Sequence, residues 1–278
     1  AGDGAPPREA GPVTVKLKSP RELETIARAG EIVGRTLARA AEHAAPGVST
    51  AELDRIAEEF IHGHPGASPA FKGLYGFPAT LCTSVNEEVV HGIPSEDRIL
   101  EEGDLLSVDV GVKLDGYFAD SAITVPIGAI DEEARRLLDV TREALERGID
   151  AARVGGHVGD IGADVQALVE SEGFSVIREL VGHGVGHAAH EDPQVPNFGR
   201  RGRGSELREG LVIAIEPMVN VGSRRIRTQD DEWTVVTADG SLSAHFEHTV
   251  AVTEEGPRVL TPRPAGTAAT RKGEAEVG

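Results

Sequence analysis

Two aspartates flank a tight turn in this chain. Leu105 to Val112 reads as a strand, Asp115-Gly116 as a hairpin turn, and Tyr117 to Val125 as the returning strand. With the turn centred between Asp115 and Gly116, the register places Ala122 opposite Asp109. Asp120, two residues away, then shares the Asp109 face as its diagonal neighbour. Two carboxylates so placed repel one another unless a cation sits between them, although alone they would pass for a solvated face. Three further residues suggest a cation. His183 lies in the glycine-rich run VGHGVGH, where backbone can approach a ligand closely. Glu216 follows the apolar run LVIAI directly and precedes Pro217, and Glu247 sits within HFEHTVAV. A carboxylate at the end of a buried strand is costly unless it is paired or bound to metal.

Four carboxylates and one imidazole form a hard donor set, suited to Mn, Fe, Co or Zn rather than to a thiolate-loving ion. Bridging carboxylates can hold two such ions about 3.5–4 Å apart and lower the pKa of a shared water from about 15.7 toward about 7. That chemistry is hydrolysis. His91, in NEEVVHGIP, and His190, in HEDP, are the candidates to donate hydrogen bonds to a developing oxyanion. Either would serve equally as a structural histidine.

The elements that must position these groups come in two sets. Ser19-Pro20-Arg21-Glu22 opens a helix with a capping box, and Ile26, Ala29, Val33, Leu37 and Ala40 recur on one face of it. Pro46-Gly47 stops it, and Ser49 to Glu52 starts a second helix reaching about Ile61. Asp131 to about Gly148 and Val158 to Glu172 form another pair, the latter halted by Gly173. Strands follow each pair, with His245 to Thr253 expected as one late strand. Helix pair, strands, helix pair, strands: the order predicts an α/β (α+β) chain of two related halves, with a site at their seam. Residues 1–12 are expected to be a disordered lead, 13–261 a single catalytic domain, and 262–278 a disordered tail.

Composition narrows the function classes. Among 278 residues, 46 are acidic and 28 basic, a net charge of −18 that argues against a nucleic-acid-binding face. The excess reads as a solubility device, with adaptation to high salt as the sharper alternative. The single cysteine, Cys82, permits no internal disulfide and fits a reducing compartment. No apolar run approaches the length of a membrane span, and the polar start carries no signal-peptide core. A cytoplasmic location is expected.

The runs NEEVVHGIP, SVDVGVKLDGYFADSAITV, GHGVGHAAHEDPQVP, IEPMVN and SAHFEHTVAVT together resemble the type I methionine aminopeptidases, over roughly residues 14–260. The resemblance implies the pita-bread fold, in which two pseudo-symmetric halves, each of antiparallel strands with flanking helices, enclose a dinuclear metal site. It implies two divalent ions, with Asp109 on one, His183 and Glu216 on the other, and Asp120 and Glu247 bridging. Glu216 would also carry the proton from water to the leaving amine, and His91 and His190 would contact the scissile amide. Phe77, Cys82 and Trp233 would wall the methionine pocket. Leu74 and Ala189 depart from the bulkier residues usual there, which would widen the pocket. His187 is expected at the surface or beside the ligands. The implied activity removes the initiator methionine from nascent chains, at the ribosome and as a monomer, when the second residue is small. A proline-directed peptidase of the same fold, or a non-catalytic peptide-binding relative, is the alternative. The short stretch from Gly199 to Gly210 leaves no room for the insertion of type II enzymes.

Overall fold

The computed structural model describes residues 15–265 and 267; residues 1–12 lie outside it. Four long helices dominate: α1 (Pro20–His43), α2 (Thr50–His62), α3 (Glu132–Ala151) and α4 (Val158–Ser171). Their starts follow the local chemistry. The Glu22 carboxylate accepts the Ser19 N–H at 2.8 Å. The Ser49 hydroxyl accepts the Glu52 N–H at 3.2 Å, and Asp131 accepts that of Ala134 at 2.8 Å. The apolar stripe Ile26, Ala29, Val33, Leu37 and Ala40 on α1 is fully buried. None of these helices is long and apolar enough to cross a membrane.

All strand pairings are antiparallel. In the first half, Leu105–Leu114 pairs along one edge with Tyr117–Pro126, and along the other with Ala67–Pro69 and Leu81–Val85. Asp115 and Gly116 both take positive φ, 50° and 88°, as a two-residue hairpin turn requires. The resulting register pairs Asp109 with Ala122 and Gly111 with Asp120, as the sequence predicts. In the second half, Gly256–Val259, His248–Thr253, Val212–Ile215, Gly182–Gly184 and Glu191–Val195 form a five-stranded sheet in that order. Helices α1 and α2 pack beside the first sheet, and α3 and α4 beside the strands of the second half.

The expected single strand from His245 to Thr253 is in fact two. Ser243–His245 pairs with Met218–Asn220, and after a break at Phe246-Glu247 the chain re-enters the five-stranded sheet as His248–Thr253. The break exists because the backbone there bonds to the other half: the Glu247 N–H donates to the Ala122 carbonyl at 2.9 Å, and the Ser121 hydroxyl donates to the Glu247 carbonyl. Side chains extend the seam. The Thr124 hydroxyl donates to the His245 carbonyl at 2.9 Å, and the Thr249 hydroxyl lies 3.0 Å from Asp120 Oδ1.

The tail assignment also needs a correction at its start. Residues 262–265 continue the packed chain, and Arg263 is buried, its guanidinium donating to the carbonyls of Ala122 at 2.9 Å and Glu247 at 2.7 Å. Composition alone gave no hint of this, because Ala122 lies 141 residues earlier in the chain. Residues from 268 onward lie outside the described residues. The chain at Leu260 crosses α1 so closely that a Cβ on Gly30 would sit 1.9 Å from the Leu260 carbonyl oxygen. Gly30→Ala is therefore predicted to destabilise the fold by about 2 kcal/mol, because overpacking against backbone outweighs alanine's better helix propensity. A thermal melt would show a Tm lower by about 4–8 °C; an unchanged or higher Tm would refute the close approach.

Candidate metal centre

The hairpin, the split strand and the glycine-rich loop deliver five side chains to one cavity. Asp109, Asp120, His183, Glu216 and Glu247 all line a pocket of about 290 Å³, together with His91 and His190. Ligand atoms of Asp120, His183 and Glu247 lie within 4.8 Å of one another. His183 Nε2 stands 3.6 Å from Asp120 Oδ2 and 3.6 Å from Glu216 Oε1. Its Nδ1 faces the Gly184 carbonyl at 2.9 Å, so Nδ1 carries the proton and Nε2 keeps a free lone pair toward the carboxylates.

The electrostatics of this cluster call for a cation. Asp109, Glu216 and Glu247 are held well above the ordinary carboxylate range, first by burial and then by neighbouring carboxylate charge, that of Asp120 in every case. Asp109 Oδ1 is buried without a hydrogen-bond partner. Four carboxylates and one imidazole lining the same cavity make a hard-donor set that a divalent cation would fit.

Flanking groups complete the pocket. Phe77 and Cys82 are buried, and Trp233 meets Phe77 edge-on with ring centroids 5.1 Å apart. Burial, chiefly, raises the Cys82 thiol well above its usual value, so it serves as a small apolar wall. Leu74 lines the cavity as expected, whereas Ala189 is buried and stands outside that lining. His91 sits just past the strand Glu88–Val90 with φ of 62°, and burial lowers its pKa, which favours the neutral imidazole. His190 packs edge-on against His183 at 4.4 Å. The loop that carries it is pinned from below: Glu191 accepts the Ala188 N–H at 2.9 Å and binds the buried Lys18 ammonium at 2.8 Å. His187 turns away from the cavity to meet Glu22 at 2.8 Å.

Sequence reasoning missed His245, Tyr75 and Met218, all of which line the cavity. His245 lies 3.8 Å from Glu216 Oε2, and its buried Nε2 has no hydrogen-bond partner. Burial pushes this imidazole down to about 3, leaving it neutral. Its two-residue spacing from Glu247 was the available signal, since strand residues i and i+2 share a face.

Residues 24–254 match metallopeptidase family M24. The chain belongs to that family, in its methionine aminopeptidase branch. It is 54% identical to the methionine aminopeptidase of Clostridium perfringens over 88% of this chain and 98% of that protein. Identity to methionine aminopeptidase 1 of Bacillus subtilis is 52%, with the same coverage. Among solved structures, the methionine aminopeptidase of Thermotoga maritima superposes with a TM-score of 0.88 at 44% identity, covering 90% of this chain and all of that one. The prolidase of Pyrococcus furiosus shares the fold at a TM-score of 0.73 and 25% identity, but only 66% of that chain is covered. The pita-bread fold is thereby established, and with it the use of divalent metal that the family implies.

Proposed function

We propose that this M24 peptidase removes the N-terminal methionine of nascent polypeptides when the second residue is small. One observation carries the reading: the carboxylate–imidazole cluster opens onto a pocket walled by Phe77, Cys82 and Trp233, a lining suited to an unbranched apolar side chain. The relatives named methionine aminopeptidases support it.

In this reading Asp109, Asp120, His183, Glu216 and Glu247 would hold two divalent ions drawn from Co, Mn, Fe and Zn. When bound, such a pair would polarise the scissile carbonyl and acidify a water. The remaining work falls to the chain. Glu216 accepts the proton of the attacking water and returns it to the leaving amine. His91 and His190, as neutral imidazoles, donate hydrogen bonds to the scissile amide and its developing oxyanion. The apolar walls fix the methionine side chain and exclude water from the cleft. Nascent chains in the cytoplasm, met by a monomer at the ribosome, are the substrates this reading assigns.

The test is hydrolysis of Met-Ala-Ser compared with Xaa-Pro dipeptides, with and without chelator. Release of methionine that chelation abolishes supports the assignment, and preferential cleavage of Xaa-Pro overturns it. A further prediction separates ligand from catalyst. His190→Ala is expected to lower kcat by about 10²-fold while metal content stays unchanged. Loss of bound metal in that variant would move His190 into the ligand set.

A further inference from the structure

The loop ahead of the pocket holds a tyrosine in a conformation that tyrosine avoids. Tyr75 has φ 52° and ψ 14°, in the left-handed region. Such a backbone is strained for a bulky side chain and persists only where surrounding structure enforces it. The enforcement is visible. Gly73 and Gly76 both take positive φ, and the loop is closed by bonds from Gly73 N–H to the Phe77 carbonyl at 2.7 Å and from Phe77 N–H to the Leu74 carbonyl at 2.9 Å.

That strain does not serve burial. Tyr75 is 76% exposed, more than any other large hydrophobic residue among the described residues. Yet it lines the catalytic cavity and stacks on His190, with ring centroids 5.8 Å apart and planes 24° from parallel. An aromatic face is thus held open at the pocket mouth, against the histidine assigned to the scissile amide. A substrate whose scissile amide is held at His190 has that ring beside it. Two residues of extended peptide span about 7 Å, enough to bring the third substrate residue onto it.

We propose that Tyr75 is a docking platform for the third residue of the substrate peptide, favouring an aromatic side chain there. The inference rests on the aminopeptidase reading above. Aromatic pairing of this kind strengthens binding by roughly threefold to tenfold. The experiment compares Met-Ala-amide, Met-Ala-Gly-amide and Met-Ala-Phe-amide on metal-loaded wild-type, Tyr75→Phe and Tyr75→Ala enzymes. Wild type and Tyr75→Phe should show a KM for the phenylalanine peptide about fivefold below that for the glycine peptide. Tyr75→Ala should lose that difference. Equal KM values for the two longer peptides in wild type would overturn the platform. So would an equal fall in kcat on all three substrates in Tyr75→Ala, which would make Tyr75 a support for His190. If wild type cleaves none of the three, the aminopeptidase reading itself fails, and Met-Ala-Phe-amide binding measured by calorimetry on wild type and Tyr75→Ala then decides the platform: equal affinity overturns it.

Discussion

Glu216→Ala should abolish methionine release, with kcat falling by at least about 10³-fold. Two roles are lost at once. The carboxylate is a proposed metal ligand, 3.6 Å from His183 Nε2, and the proposed proton carrier. General-base catalysis alone is worth about 10²–10⁴-fold. The cavity left behind is small and polar, and the backbone stays anchored because Asn197 Nδ2 donates to the Glu216 carbonyl at 2.9 Å. The variant should therefore fold, which circular dichroism checks, and chromatographic assay of free methionine reads the loss. Activity within tenfold of wild type would refute both roles.

Metal addition is the second large effect, and its size depends on pH. Asp109, Glu216 and Glu247 have folded-state pKa values raised well above ordinary carboxylates, through burial and mutual repulsion. Groups raised in this way favour the metal-free fold fully below the unfolded value, near 4, and that contribution is lost as pH climbs through the folded values. A divalent cation reverses the penalty by replacing protons with a stronger counter-charge, so it binds more tightly as pH rises. A cation at about 1,000 times its Kd stabilises by about 4 kcal/mol, or roughly 10 °C in Tm for a domain of this size. Chelator-stripped protein given Mn²⁺ should show that gain near pH 8 and a clearly smaller one near pH 6, by differential scanning fluorimetry. Equal gains at both values would show that these carboxylates are not the groups that bind.

The site was legible where its geometry is local. A two-residue turn fixes register, so the pairing of Asp109 with Ala122 followed from Asp115-Gly116 alone. Helix boundaries were readable because Ser19, Ser49 and Asp131 cap in place. Legibility ended where one half of the molecule bonds to the other. The break at Phe246-Glu247 is imposed by the Ala122 carbonyl, which no local pattern in HFEHTVAV reveals. Arg263 looked like tail because its partners, Ser121 and Ala122, lie more than a hundred residues earlier. Tyr75 was passed over because a left-handed φ at a tyrosine contradicts its intrinsic preference, and only the folded loop explains it.

The buried guanidinium of Arg263 has a consequence for when this enzyme can exist. It braces the carbonyls of Ala122 and Glu247, so the two hemispheres are locked together by a residue 141 positions beyond Ala122. During synthesis the hairpin bearing Asp109 and Asp120 emerges well before Arg263, so it must wait for about half of the chain to follow. An enzyme of this family is itself completed only once the segment bearing Arg263 has cleared the exit tunnel.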